Sequence, residues 1–92
     1  MIVRILGEGQ YRLDEQAFAA VHAADDRVQA AADADDDAAF RQALGELLDV
    51  VTGRGTPLPA DELHPSDAIV PGHGTTLAEA RELLSAEGLI PS

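Results

Sequence analysis

The sequence begins with MIVRILGEGQYRLDEQAF, residues 1–18, and this stretch predicts the first elements of the fold. Met1–Leu6 is a short run of branched apolar residues, which is typical of a β-strand. The glycines at 7 and 9 give the backbone freedom to reverse, and Gln10–Leu13 returns as a second strand. Asp14 is a suitable N-cap for a helix. We therefore predict a β-hairpin followed by a helix, with no targeting segment before it.

Composition limits the class of protein. The 92 residues fit a single domain, residues 1–92, with one modest core. There is no cysteine, so a disulfide framework and a thiolate zinc site are excluded. We find neither an apolar run long enough to span a bilayer nor a signal segment. The expected location is the cytoplasm.

The charge is strongly negative. The sequence has 17 acidic residues against six arginines and no lysine, for a net charge of −11. Nucleic-acid binding and direct binding to an anionic membrane both need clustered basic residues, so we expect neither. The excess acid serves either solubility or attraction to a basic partner surface, and charge alone does not separate these two roles.

Two helices are predicted in the first half of the chain. The first runs from Glu15 to about Ala32, and the second from Asp37 to about Val51, where Gly53 and Gly55 are expected to stop it. The apolar face of the second helix has helical spacing and consists of Phe40, Leu44, Leu47, Leu48 and Val51. The acidic connection at 33–37 lacks the glycine and the final glutamate of a calcium-binding loop. We therefore predict a helical hairpin covered by the β-hairpin.

A proline-rich strap, Thr56–Gly74, follows the helices. Its four prolines forbid a continuous helix, while its apolar residues favour docking on the body of the protein. Within it, Asp67–Val70 is predicted to be a brief strand that extends the hairpin to three strands. The first strand is expected to keep a free edge, and sheet edges recruit partners. We therefore expect a homodimer, through that edge or through the helix faces.

The end of the chain predicts a third helix. Thr76 and Glu79 form a capping box, and the helix is expected to continue to Glu87 with Leu83 and Leu84 facing inward. The predicted fold class is therefore α+β: an N-terminal β-hairpin, or three-stranded sheet, packed on a helical hairpin, with a proline-rich strap and a C-terminal helix.

The residues show no catalytic or metal-binding pattern. His64 and His73 have acidic neighbours, but their separation across two prolines matches no zinc-ligand spacing. No serine has a nucleophile-elbow context. The glycines around His73 precede a helix without the lysine of a phosphate-binding loop. We therefore expect no enzyme activity, no cofactor and no metal.

Three segments together resemble one known family: MIVRILGEGQYRLDE (1–15), RGTPLPADELHPSDAIVPG (54–72) and TLAEARELLSAEGLIP (76–91). The chain resembles the PspA-associated domain proteins (PspAA), which occur with phage-shock-protein A homologues in actinobacteria and archaea. The resemblance implies a non-enzymatic accessory or adaptor protein of the envelope-stress response that binds a PspA-type coiled-coil protein. It also implies a location peripheral to the inner membrane through that partner. It carries over no functional residues.

Partner-binding residues must therefore be predicted from the sequence itself. Apolar anchors with an aromatic member are common at binding hot spots, and our candidates are Tyr11, Leu58 and Leu63. If strand alternation holds, Arg4 and Arg12 share one face of the hairpin, opposite to Tyr11. Two other functions remain open: a small ligand- or metal-sensing regulatory domain, and an enzyme subunit whose chemistry lies in another chain.

Overall fold

The computed structural model describes residues 1–62, 64–84 and 89–90 and confirms the α+β class. A mixed sheet packs against two long helices, and a short helix lies near the C-terminus. The elements are β1 (Ile2–Ile5), β2 (Gly9–Arg12), α1 (Glu15–Asp33), α2 (Asp37–Arg54), β3 (Thr56–Pro57), β4 (Ala68–Val70) and α3 (Leu77–Ala80).

The sheet has the strand order β3-β2-β1-β4, so β1 is an inner strand. It pairs antiparallel with β2 and parallel with β4. Two hydrogen bonds between Ile2 and Asp67 fix the start of the parallel pair: the Asp67 N–H donates to the Ile2 carbonyl at 2.8 Å, and the Asp67 carboxylate accepts from the Ile2 N–H at 2.7 Å. The prediction that the first strand keeps a free edge is therefore wrong, because β4 pairs with that edge.

The sheet also has one strand more than predicted. β3 consists of two residues, with Pro57 opposite Tyr11 and Thr56 opposite Arg12. Two residues are too few to show the two-residue period by which strands are recognised in a sequence. The predicted third strand does form, as β4, and the sheet is four-stranded.

The strap crosses the sheet on the face that points away from the helices. β3 and β4 lie at opposite edges, so the chain between them must pass over the sheet. Gln10 in β2 marks its path: the side-chain Nε2 donates to the His64 carbonyl and to the Ser66 hydroxyl, both at 2.8 Å. Gln10 is buried beneath these residues. The docked strap predicted from the prolines is confirmed.

Capping side chains define the ends of the helical hairpin. The Asp14 carboxylate accepts from the Ala17 N–H at 2.7 Å at the start of α1. Asp35, with φ 54°, takes the left-handed conformation in the link between the helices. Asp36 then caps α2 by accepting from the Ala39 N–H at 3.1 Å. The acidic link therefore serves as a turn and a cap.

The predicted buried face of α2 is confirmed. Phe40, Leu44, Leu47, Leu48 and Val51 are all at most 1% exposed. They belong to one core with residues of α1 and with Val3, Ile5 and Val70 of the sheet. α2 continues past the predicted end near Val51 and past Gly53 to Arg54, and Gly55, the second of the two glycines expected to stop it, is its C-cap.

The third helix is much shorter than predicted. Its capping box is confirmed, with Thr76 and Glu79 bonding each other's backbone N–H, but the last helical residue is Ala80. Leu83 is 38% exposed rather than buried, because the chain has left the helix and the helical period no longer applies. Leu84 is half-buried against the core. Residues 85–88, and with them the predicted helix end at Glu87 and Gly88, lie outside the described residues.

No helix in the described part of the chain is long and apolar enough to cross a membrane.

Candidate partner-binding surface

The outer face of the sheet is the side turned away from the helices. Paired residues of neighbouring strands point to the same side of a sheet. Val3, Ile5 and Val70 are completely buried against the helices, so the alternate positions point outward. The outer face therefore comprises Ile2, Arg4, Gln10, Arg12, Thr56 and Ile69. The predicted placement of Arg4 and Arg12 on one face is confirmed.

The predicted anchor residues do not lie together. Tyr11 is opposite Val3, and its half-buried side chain packs against the core on the helix side of the sheet. Leu58 follows β3; its N–H donates to the Gln10 carbonyl at 2.9 Å, and its half-buried side chain borders the outer face. Leu63 lies outside the described residues. The structure thus places Tyr11 and Leu58 on opposite sides of the sheet.

A crevice of about 230 Å³ lies between the strap and the outer face. Its described lining includes the Arg4 and Gln10 side chains on the sheet and Leu58, Pro59 and Glu62 on the strap. None of the described residues that line it carries a hydroxyl or an imidazole, the usual nucleophile and base of hydrolytic sites. The crevice thus combines charged side chains with apolar ones.

Two of the exposed large apolar side chains lie beside Arg4. Among the described residues, the exposed large hydrophobics are Leu6 at 46%, Ile69 at 45% and Leu83 at 38%. Ile69 is the β4 partner of Arg4. Leu6 is two residues after Arg4, and its N–H extends the ladder by donating to the Val70 carbonyl at 3.0 Å. We call Leu6, Arg4 and Ile69 the outer patch.

The sequence of β4 contains a signal for this patch. Ala68 and Val70 are buried, and the residue between them faces outward. A strand with one solvent-facing side normally has a polar residue there, whereas β4 has Ile69. A single exposed apolar residue is common on protein surfaces, but Ile69 is close to a second one, Leu6.

The outer face differs in charge from the rest of the surface. Three arginines form ion pairs with acids: Arg27 with Glu46, Arg41 with Asp37, and Arg81 with Asp35. None of the ion pairs within the described ranges includes Arg4 or Arg12. The outward-facing strand residues include both of these cations and no acid. The strand residues of this face therefore carry positive charge on a chain of net charge −11, and Glu8 of the turn and Glu62 of the strap line the crevice beside Arg4.

The histidines are held by separate carboxylates. His64 Nε2 lies 3.1 Å from Glu62, and His73 Nδ1 lies 2.9 Å from Glu8. In the ranges that the structure describes, no three His, Asp or Glu side chains are grouped closely enough to hold a metal ion. The arrangement ties the strap to itself and to the β1–β2 turn.

Asp25 is a buried carboxylate that was not among the residues predicted to matter. It is 2% exposed and accepts hydrogen bonds from the N–H groups of Leu89 and Ile90, both at 3.0 Å. Burial raises the pKa of Asp25, although these two bonds and nearby His22 act in the opposite direction. Its position on the buried side of α1, between Val21 and Val28, was the available signal. Asp25 anchors the C-terminal segment to α1.

The comparison with protein families returned one finding, which agrees with the resemblance noted in the sequence. A family model described as PspA-associated protein matches residues 1–92, the whole chain. No curated protein and no solved structure matches the chain.

Proposed function

The chain belongs to the PspA-associated protein family, and from this membership we propose that it binds a PspA-type coiled-coil protein as a non-enzymatic adaptor in the phage-shock envelope-stress response. The match over all 92 residues carries the proposal, because the family is described by its association with PspA.

The use of the buried polar side chains supports binding over catalysis. Catalytic groups are commonly buried polar side chains left available to a substrate. In the described ranges, the buried polar or charged residues are Gln10 and Asp25. Both are engaged in hydrogen bonds that hold distant chain segments, the strap and residues 89–90. We propose that the protein has no catalytic activity.

Charge supports recognition of a protein rather than a lipid surface. A net charge of −11 repels anionic headgroups and attracts basic segments of a partner over a distance set by the ionic strength. Such attraction accelerates encounter more than it strengthens the final complex. We therefore propose that the affinity for the PspA-type partner is salt-sensitive and that any membrane location is peripheral and mediated by that partner.

We retain the predicted anchors as part of the proposal. Leu58 borders the outer face and is half-buried in the free protein, so a partner covering this face would contact it. Tyr11 packs against the core, and its contribution to binding stays a prediction. No structural argument applies to Leu63.

Self-association remains part of the proposal through the helices. With β1 inside the sheet, the remaining predicted route is the outer side of the helical hairpin. A groove of about 450 Å³ runs there between α1 and α2; its lining consists of four alanines and three polar or charged residues, namely Ala30, Ala31, Ala39, Ala43, Arg27, Gln42 and Glu46. Small side chains permit close approach of a second helix pair. Light scattering over a range of protein concentrations should give the mass of a dimer, and a monomeric mass at the highest concentration would argue against this route.

Direct binding measurements test the adaptor function. The purified protein and its cognate PspA-type protein should form a complex in calorimetry, with an affinity that decreases as salt is raised. In co-sedimentation with anionic vesicles, the protein should pellet only when the PspA-type protein is present. Failure to bind that partner at low salt, or sedimentation without it, would contradict the proposal.

A further inference from the structure

We infer that the outer patch, Leu6, Arg4 and Ile69, docks an amphipathic helix of the coiled-coil partner, with the Arg4 guanidinium paired to a carboxylate on that helix. The inference rests on the proposed function and adds the surface and the chemistry of its recognition.

The outer patch exposes apolar area beside a cation. Leu6 and Ile69 are 46% and 45% exposed, and Arg4 adjoins both on the same face, opposite Ile69 on β4 and two residues before Leu6. Interface cores combine large apolar side chains with arginine, and they are depleted in acidic residues. The outward-facing strand residues have this composition, since they include no acid, and the acids nearest to Arg4 are on the turn and the strap, at Glu8 and Glu62.

The charge of Arg4 is complementary to a carboxylate on the partner. Arg27, Arg41 and Arg81 are each matched by an acid of the chain itself, whereas Arg4 takes part in none of the ion pairs found in the described residues. A guanidinium held by strand β1 presents a planar pair of donors, which suits a carboxylate. Solvent-exposed ion pairs contribute little to affinity. A partner helix docked over Leu6 and Ile69 would exclude water from the ion pair between Arg4 and the carboxylate and so strengthen it.

The spacing of side chains in the outer patch is similar to that on one face of a helix. Side chains on neighbouring strands are separated by roughly 5–8 Å, depending on whether they are directly opposite or diagonal. Residues three or four apart on a helix present side chains at a similar spacing, about 5–6 Å. A helix crossing β1 and β4 can therefore set two apolar residues on Leu6 and Ile69 and one acid on Arg4. The strap passes over Gln10 and borders Arg4 in the crevice, while Leu6 and Ile69 are left 46% and 45% exposed.

Affinity measurements test the apolar part of the patch. The variants Leu6→Ser and Ile69→Thr remove apolar area, and threonine keeps the branched shape that strands favour. Their combination should raise the Kd for the PspA-type protein by about 10-fold or more, as expected for removal of hot-spot contacts. Leu83→Ser is the matched control, because it removes an exposed leucine outside the patch. Its Kd should stay within about 2-fold of wild type.

A zero-length crosslink tests the predicted carboxylate. The chain has no lysine, so Arg4→Lys introduces the one side-chain amine that a carbodiimide can couple to a partner acid. In the complex, this variant should give a crosslinked peptide joining position 4 to an Asp or Glu of the partner. Arg54→Lys is the control, since Arg54 lies at the end of α2, outside the outer patch. It should give no such product.

The outcomes separate this inference from the proposed function. If wild type fails to bind the PspA-type protein, both fall. If wild type binds while the Leu6 and Ile69 double variant binds equally well, or if the crosslink forms from position 54 and not from position 4, the outer patch is not the docking surface and the adaptor function stands. Unchanged circular dichroism and unfolding midpoints verify that each variant is folded.

Discussion

Asp25, in the middle of α1, accepts a hydrogen bond at 3.0 Å from the backbone N–H of Ile90, 65 residues away in the sequence. The same carboxylate accepts from Leu89, and the side chains of both residues are buried. One charged residue on an otherwise apolar helix face thus attaches the C-terminal segment to the core.

Replacing this carboxylate should destabilise the protein. In Asp25→Ala, two buried N–H groups lose their acceptor, and each unsatisfied group costs about 1–3 kcal/mol. We expect a total loss of about 2–4 kcal/mol in the free energy of unfolding, measured by urea denaturation. Asp26→Ala is the matched control, because the Asp26 carboxylate is exposed. This substitution should change the free energy of unfolding by less than about 0.5 kcal/mol. Equal effects of the two substitutions would refute the anchoring role.

The pH dependence of this effect follows from the raised pKa of Asp25. Burial holds its pKa above the ordinary value of 3.8, so the folded state keeps the proton to higher pH than the unfolded state. The contribution of protonation to stability is therefore complete below pH 3.8 and decreases as pH rises through the raised pKa. Asp25→Asn lacks this titration. The stability of wild type relative to Asp25→Asn should decrease as pH rises from about 3 to 7 in urea denaturation, and an increase would contradict the assignment.

The contribution of the buried face of α2 to stability can be tested at Leu47. This residue is completely buried, and Leu47→Ala should lower the free energy of unfolding by about 2–5 kcal/mol because it leaves a cavity. Leu83→Ala, at an exposed leucine, should change it by less than about 0.5 kcal/mol. Chemical denaturation of both variants measures the difference. A small effect at position 47 would place that side of α2 on the surface.

The hydrogen bonds of Gln10 should keep the strap on the sheet. Gln10→Ala removes the donor to His64 and Ser66, and we expect a loss of about 1–2 kcal/mol in stability. The local effect is more specific: hydrogen exchange of backbone amides in residues 58–67 should become faster than in α1 and α2. Gln16→Ala, at an exposed position of α1, serves as control and should leave strap exchange unchanged.

Two glycines should respond to alanine with opposite signs. A Cβ at Gly55 would lie 2.5 Å from the Val51 carbonyl oxygen and 3.0 Å from Leu13 Cδ2. Because both distances are too short, Gly55→Ala should lower the free energy of unfolding by more than about 1 kcal/mol. A Cβ at Gly45, inside α2, meets no described atom within 4 Å. Gly45→Ala should stabilise by about 0.5–1 kcal/mol, because alanine loses less entropy in a helix. Thermal unfolding of the two variants measures the signs.

Elements that depend on near neighbours were predicted well. Asp14 and Thr76 begin helices because their side chains accept hydrogen bonds from backbone N–H groups three residues ahead. This pattern can be recognised from a few consecutive residues of the sequence. The buried face of α2 follows from the 3.6-residue period of a helix. The same kind of local prediction was wrong at the end of α3. The helical spacing of apolar residues continues in the sequence through Leu83, but the helix ends at Ala80.

The outer patch was only partly predictable. Alternation placed Arg4 and Arg12 on one face, which the strand register confirms. Ile69 could not be placed next to Arg4, because that contact depends on parallel pairing between segments 65 residues apart. Leu58 and Tyr11 were predicted as one set of anchors, and the sheet separates them.

The amino-acid order alone was thus enough for the α+β class, the two long helices, their caps and the hairpin, since each depends on interactions within a few residues of chain. Tertiary structure decided the position of β1 inside the sheet, the path of the strap over Gln10, and the attachment of Ile90 to Asp25. Each of these brings together residues more than 50 apart, and their partners are selected by burial and by unsatisfied hydrogen-bonding groups that exist only once the core has formed.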